Sequence, residues 1–355
     1  MTAPSRITAL DHYRLLGNSG LRVSPIALGT MTFGKEWGWG SDEKDSRAIF
    51  DAYLDRGGNF IDTADMYTEG TSESLIGDFL QGRREQVVLA TKFTFNQREK
   101  DPNAGGNGRK HLMEALEASL RRLKTDYIDL YYVHAWDRLT PLEELMRALD
   151  DAVRQGKIVH AGVSDFPAWR VAQANTLAAW KDWSPFIGLQ VEYSLVERTP
   201  ERELFPMAEE LGLGIIPWSP LAGGILTGKY DEQAFRDAED GSGQSPDSGR
   251  NNRGKLTPRN GDIAAGVKDL AEKVGCTPTQ LALRWNLDRP FPTFPIIGAR
   301  TLNQLEGSLG CLPVEADSEI LADLDDLSAI DLGFPGNFLN TVAPMIHGGL
   351  DVRKR

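Results

Sequence analysis

The stretch Phe60–Glu73, FIDTADMYTEGTSE, begins with apolar Phe60 and Ile61 and then delivers Asp62, Asp65, Tyr67 and Glu69 within a few residues. A phenol has an unperturbed pKa of about 10, so it is a poor proton donor and acceptor at neutral pH. An ammonium beside it favours the phenolate and lowers that pKa. Lys92, just past the apolar run VVLAT, can supply the ammonium, and Asp62 can hold it in place. Tyr67 would then give a proton to a carbonyl oxygen as charge develops there. His134 would donate a second hydrogen bond to the same oxygen. No side chain donates a hydride, so this chemistry implies a nicotinamide cofactor.

These residues must be brought together by the elements that carry them. Runs that read as strands are IALG from Ile26, FID at 60–62, VVLAT at 87–91, YIDLYYV at 127–133, VHAGVS at 159–164, IGLQVE at 187–192, GIIPW at 214–218 and TFPII at 293–297. Helical patterns lie between them. Leu112, Leu116, Leu120 and Leu123 recur at helical spacing in 109–124, as do Leu142, Leu145 and Leu149 in 141–156, where Pro141 can open a helix and Gly156 can close one. Strand–helix alternation implies a parallel sheet with crossover helices. About eight such units predict an α/β fold, a closed (β/α)8 TIM barrel. The competing open, doubly wound sheet would want GxGxxG after the first strand, and GGILTG at 223–228 comes only after the seventh. In a parallel barrel the active site gathers at the C-terminal ends of the strands. That rule collects Asp62 with Tyr67, Lys92, His134, Ser164 with Asp165, Gln190, Trp218 with Ser219, and Gly298 with Arg300.

The whole chain, 1–355, reads as one domain. Residues 13–25, YRLLGNSGLRVSP, are expected to form a hairpin, and 231–261 a long polar loop or lid after strand 7. The tail 330–355, with Phe334, Phe338, Leu339, Met345 and Ile346, is expected to fold back over the barrel mouth. Asp65 and Glu69 read as solvated or capping residues, and Ser72 and Glu73 as the start of the next helix.

A formal charge of −12 argues against a nucleic-acid surface. The two cysteines, Cys276 and Cys311, show no metal-ligand spacing and favour a reducing cytoplasm over a disulfide framework. No signal peptide is read at the start, and no run of about 18 apolar residues predicts a membrane helix. His12, His111, His160 and His347 are scattered and suggest no metal site. Oligomeric state is not readable from the sequence.

NFIDTADMYTEGTSE, ATKF, DLYYVHAWD, GVSDF, LQVEYSL, PWSPLAGGILTGKY and PIIGARTLNQLE occur in this order, within a span from about Tyr13 to Leu309. Together they resemble the aldo-keto reductase family, in the longer branch that includes aryl-alcohol dehydrogenases and potassium-channel β subunits. The resemblance implies that Asp62, Tyr67, Lys92 and His134 form the family's catalytic tetrad. It implies that Ser164, Asp165 and Gln190 hold the nicotinamide carboxamide and that Trp218 stacks on the ring. It places the pyrophosphate on Ser219, Pro220, Leu221, Gly223, Leu226 and Lys229, and the adenosine end on Gly298, Ala299, Arg300 and Gln304. Arg300, with Arg250 as a second candidate, would take a 2′-phosphate, which favours NADP(H) over NAD(H). The chain departs from the branch at Gly307 and Ser308, where Glu and Asn are usual near the adenine, and at Asp165, where Asn is commoner.

The expected activity is reversible, NADP-dependent reduction of an aldehyde or ketone. Phe33, Trp37, Trp39, Phe93 and Trp136 suggest walls for a planar or sugar-like carbonyl. Two other readings stay open: a regulatory subunit that senses redox state through bound NADP(H) with little turnover, and a phosphate-binding lyase or isomerase barrel.

Overall fold

The structure, a computed structural model, describes residues 6–239 and 255–350. A two-stranded antiparallel hairpin, β1 (Arg14–Leu15) and β2 (Arg22–Val23), precedes eight parallel strands. These are β3 (Ala27–Gly29), β4 (Phe60–Asp62), β5 (Val88–Phe93), β6 (Ile128–Val133), β7 (Ile158–Ser164), β8 (Phe186–Glu192), β9 (Gly214–Trp218) and β10 (Ile296–Gly298). Each strand pairs with the next in sequence, and β10 returns to pair with β3. The ring closes between β9 and the residues before β10, through a parallel bridge of Ile215 with Thr293 and a Phe294 N–H to Ile215 carbonyl bond of 2.9 Å. The eighth strand begins at Ile296 rather than at Thr293, because Pro295 has no N–H to give to a ladder. The chain is a (β/α)8 TIM barrel.

Side chains of successive strand residues alternate between two cores. Phe60, Ala90, Leu130, Tyr132 and Ile216 point into the barrel. Ile61, Leu89, Tyr131, Val133, Val163, Leu189 and Ile215 point outward to the helices. The outer layer forms as its leucine spacing predicts. Helix Arg109–Leu123 buries Leu112, Leu116, Leu120 and Leu123, and helix Leu142–Arg154 buries Leu142, Leu145 and Leu149. The second of these starts directly after Pro141.

The hairpin plugs the floor of the barrel. Leu16 and Val23 are fully buried within the inner core, and the Asn18 N–H bonds the Gly212 carbonyl at 2.7 Å, just before β9. Gly17 permits this approach: it has φ +55, and a Cβ there would lie 2.3 Å from the Ile187 carbonyl oxygen.

One expectation is corrected. The segment 231–261 is not one loop, since helix Glu232–Glu239 occupies its start and helix Pro258–Val274 begins within it. The second helix has Thr257 as N-cap and Pro258 in its first turn, a start signal masked by the polar composition around it. The tail carries its apolar side chains outward. It forms helix Gly336–Ile346 with no buried residue, and Phe334, Phe338, Leu339, Met345 and Ile346 stay exposed. A helix satisfies its own backbone bonds, so nothing compels this segment to dock for their sake. Among the described residues no helix is long and apolar enough to cross a membrane.

Truncating the floor plug tests this architecture. Leu16→Ala should lower the unfolding free energy by about 2 to 5 kcal/mol, the range for emptying a closed apolar site. Urea denaturation measures it, and a loss under about 1 kcal/mol would show that the hairpin is not integral to the inner core.

Candidate active site

Asp62 and Lys92 share the inward parity of Phe60 and Ala90, so both emerge above the inner core at the C-terminal ends of β4 and β5. Lys92 is fully buried. Its Nζ donates to Asp62 Oδ1 at 2.6 Å, to the Thr63 carbonyl at 2.7 Å and to the Tyr67 hydroxyl oxygen at 3.2 Å. An ammonium has three donors, and all three are used. The Tyr67 oxygen therefore accepts from Lys92, and its own proton is left to donate elsewhere. The second carboxylate oxygen of Asp62 accepts from Gln190 Nε2 at 2.8 Å, so Gln190 also braces Asp62 from across the barrel.

His134 follows β6, its ring 6.0 Å from that of Tyr67 in an edge-on arrangement. Its Nδ1 is buried and has no hydrogen-bond partner among the described residues. Burial, with Lys92 adding to it, pushes the imidazole pKa well below its ordinary value, so the ring is neutral at neutral pH. Burial also opposes the charge on Lys92, but Asp62 and Tyr67 outweigh it and the ammonium is held. For Tyr67 the expected direction is reversed. Burial raises the phenol's pKa more than Lys92 lowers it, so Tyr67 is protonated at neutral pH.

Sequence reasoning missed what lies behind this group. Asp65 is neither solvated nor a cap: it is buried, and neither carboxyl oxygen has a partner among the described residues. Glu73 is fully buried, accepting from Thr91 Oγ1 at 2.5 Å and from Arg122 Nε at 2.7 Å. Only the apolar period of the helix that carries Arg122 hinted that this face turns inward.

Aromatic rings surround the opening. Trp37 lies 6.4 Å from the Tyr67 ring and 5.7 Å from Trp39. Trp136 packs edge-on against Trp169 at 5.6 Å, and Phe95 against His134 at 4.8 Å. Phe95 and Trp169 were not among the expected residues. Phe93 and Phe33 were, and both are corrected. Phe93 follows Lys92, so the pleat turns it outward to stack on Tyr131 at 5.2 Å, while Phe33 packs on Phe79.

On the opposite wall, Trp218 Nε1 donates to Asp165 Oδ1 at 3.2 Å, and Ser164 Oγ donates to Asp165 Oδ2 at 3.2 Å. Lys255 lies over the Trp218 ring, 5.7 Å from its centroid, and is ion-paired with Glu192. After β9 the chain coils tightly through Ser219, Ala222, Gly223, Gly224 and Gly228, all with positive φ, carrying Pro220, Leu221 and Leu226 around the turn and Lys229 just beyond it. Gly224 faces the Lys229 side chain so closely that a Cβ would lie 2.7 Å from its Cε.

Gly298 ends β10 exposed, Ala299 is buried, and the Arg300 N–H bonds the Gln304 side chain at 2.8 Å at the start of helix Leu302–Leu309. Among the described residues no carboxylate pairs with Arg300. Of the three departures, Gly307 faces open space, Ser308 is buried on the core side of its helix and Asp165 lies beside Trp218. Arg250 lies outside the described residues. Among those described, no cluster of His, Cys, Asp and Glu could hold a metal.

The aldo/keto reductase family model matches residues 25–329. The chain belongs to that family. It is 37% identical to a norsolorinic acid reductase of Aspergillus flavus, over 95% of this chain and 86% of the relative. It is 36% identical to an NADP(+) aryl-alcohol dehydrogenase of Phanerodontia chrysosporium, over 94% and 90% respectively. An uncharacterised oxidoreductase of Bacillus subtilis is 39% identical, over 91% and 96%. This aldo/keto reductase is thus an oxidoreductase acting on C=O or CH–OH groups, in a family that uses nicotinamide cofactors.

The buried acid behind the site yields a pH-dependent prediction. Burial first, then Glu73, raises the Asp65 pKa well above the ordinary carboxylate value. The folded protein therefore keeps this proton where the unfolded chain, with a pKa of about 3.9, has lost it. The associated stability is complete below that pH and is lost as pH rises through the folded-state pKa. Asp65→Asn removes the titration and keeps the shape. It should be more stable than the wild type at pH 8 by at least about 1 kcal/mol, with the gap closing toward pH 4. Urea denaturation at both pH values checks this, and a gap independent of pH would contradict it.

Proposed function

We propose that this enzyme reduces aromatic aldehydes or ketones to alcohols with NADPH, reversibly, with Tyr67 as the general acid. The observation that carries the reading is the complete use of the Lys92 ammonium, whose third donor ends on the Tyr67 oxygen at 3.2 Å. That contact leaves the phenolic proton directed away from Lys92, available to a carbonyl oxygen in the opening. When the proton leaves, the new phenolate already faces a fixed ammonium in a site shielded from water, where such stabilisation is strong. Neutral His134 donates a hydrogen bond to the same carbonyl oxygen and orients it. In the oxidation direction the Tyr67 phenolate accepts the alcohol proton. The raised Tyr67 pKa suits reduction at neutral pH, since the acid is already protonated.

The donor set on the opposite wall fits a nicotinamide dinucleotide. Trp218 offers a planar face beside Ser164 and Asp165, and the coiled turn after β9 offers the kind of strongly curved backbone that accepts phosphates. Arg300 stands at a helix N-terminus without a carboxylate partner among the described residues, as recognition of a 2′-phosphate would require. The bound cofactor would supply the hydride to the carbonyl carbon. Trp37, Trp39, Phe95, Trp136 and Trp169 provide edges and faces for a flat ring system. The name of the aryl-alcohol dehydrogenase relative agrees with an aromatic substrate.

Tyr67→Phe should reduce kcat for aryl aldehyde reduction by at least about 100-fold while NADPH binding stays within about threefold of wild type. NADPH oxidation followed by absorbance, with binding followed by fluorescence, separates the two effects. Loss of cofactor binding, or turnover close to wild type, would remove Tyr67 from the role.

A further inference from the structure

Among the described residues, most charges beside the reacting group cancel in pairs. Lys92 is paired with Asp62, and Lys255 with Glu192. His134 is neutral and Tyr67 is protonated. Behind them, Glu73 is paired with Arg122. Asp165 differs: its oxygens meet only the neutral donors Trp218 Nε1 and Ser164 Oγ, each at 3.2 Å, and no cation pairs with it among the described residues. Its carboxylate is thus fixed to the polar edge of the indole, at the exposed mouth.

An oxidised nicotinamide ring carries a positive charge and a reduced one does not. We propose that Asp165 makes this site bind the oxidised cofactor preferentially, so that a bound NADPH is a stronger reductant than the free one. The inference rests on the preceding reading, in which the ring stacks on Trp218. A carboxylate without a cationic partner beside the stacking face, in the high effective dielectric of an open mouth, would favour a cationic ring on the order of tenfold. For a two-electron couple, tenfold corresponds to a potential lower by about 30 mV. Burial raises the carboxyl's pKa, opposed by its two donors. The measurement is therefore made at pH 8, far above the ordinary carboxylate range.

Asp165→Asn isolates the charge. Asn preserves the acceptor for Trp218 and tolerates the φ of +52 at this position, so the local fold is retained. Dissociation constants for NADP+ and NADPH, from quenching of tryptophan fluorescence at pH 8, give the result without reference to turnover. The variant should bind NADP+ about tenfold more weakly and NADPH within about twofold of wild type, so that the preference for the oxidised form falls about tenfold. Equal changes for both forms would mean that Asp165 only shapes the carboxamide pocket, and an unchanged ratio would mean that its charge is not felt. Either result overturns the proposal while leaving the dinucleotide site in place. Failure of the wild-type protein to bind either form would instead overturn the reading on which the proposal rests.

Discussion

One fully buried ammonium sets the constraints on this molecule. A charged amine without water must have all its protons accepted, or the cost of burying it is not offset. Lys92 meets that condition with a carboxylate from β4, a backbone carbonyl just past it and a phenol from the following loop. The parallel register of β4 with β5, Asp62 opposite Ala90, brings the carboxylate beside the lysine. Below lies the apolar inner core closed by the hairpin, which excludes water from beneath the amine. Fold and proton chemistry therefore depend on one another: the barrel makes the ammonium dry, and dryness makes its few partners strong.

Much of this was legible in the sequence because a barrel strand has a period of two and one chemically useful end. The eight strands, the hairpin and the position of Asp62, Lys92 and His134 at strand ends all follow from apolar runs and their limits. The same alternation, applied strictly, turns Phe93 away from the mouth once Lys92 is placed inward, so its assignment to a substrate wall conflicted with evidence already in the pattern. Phe95 could not be found this way. It follows Thr94, whose φ of +137 breaks the alternation and brings the next ring over His134. Asp65 and Glu73 were illegible for another reason. Local sequence describes a polar loop entering a helix, and only a partner 49 residues away, Arg122, reveals that the helix start is buried.

The sign of the Tyr67 shift shows a further limit. A lysine near a tyrosine argues for a more acidic phenol, and the structure contains that lysine at the expected position. Burial of the ring acts in the opposite sense and is larger. Sequence names the charges but not the solvent, and here the solvent term decides. The consequence suits the proposed proton donation: the phenol is protonated while its oxygen already accepts from an ammonium. The neutrality of His134 acts in the same direction, since a second cation would compete with Lys92 for the phenolate.

The two walls of the mouth divide the labour. β4, β5 and β6 lead to Asp62, Tyr67, Lys92 and His134, while β7, β8, β9 and β10 lead to Asp165, the indole, the coiled turn and the arginine. They meet in the bond from Gln190 to Asp62, spanning 128 residues of sequence and crossing the barrel interior at 2.8 Å. Asp62 is thus held on one oxygen by the lysine it positions and on the other by the opposite wall. A carboxylate fixed on both oxygens cannot swing to follow the ammonium, so the lysine has one place to be, and the phenol bonded to it has one direction in which to offer its proton. The placing of the Tyr67 oxygen is therefore not a property of its loop alone. It is inherited also from two strands on opposite sides of the barrel, and loops other than the one carrying Tyr67 can vary around the mouth without disturbing it.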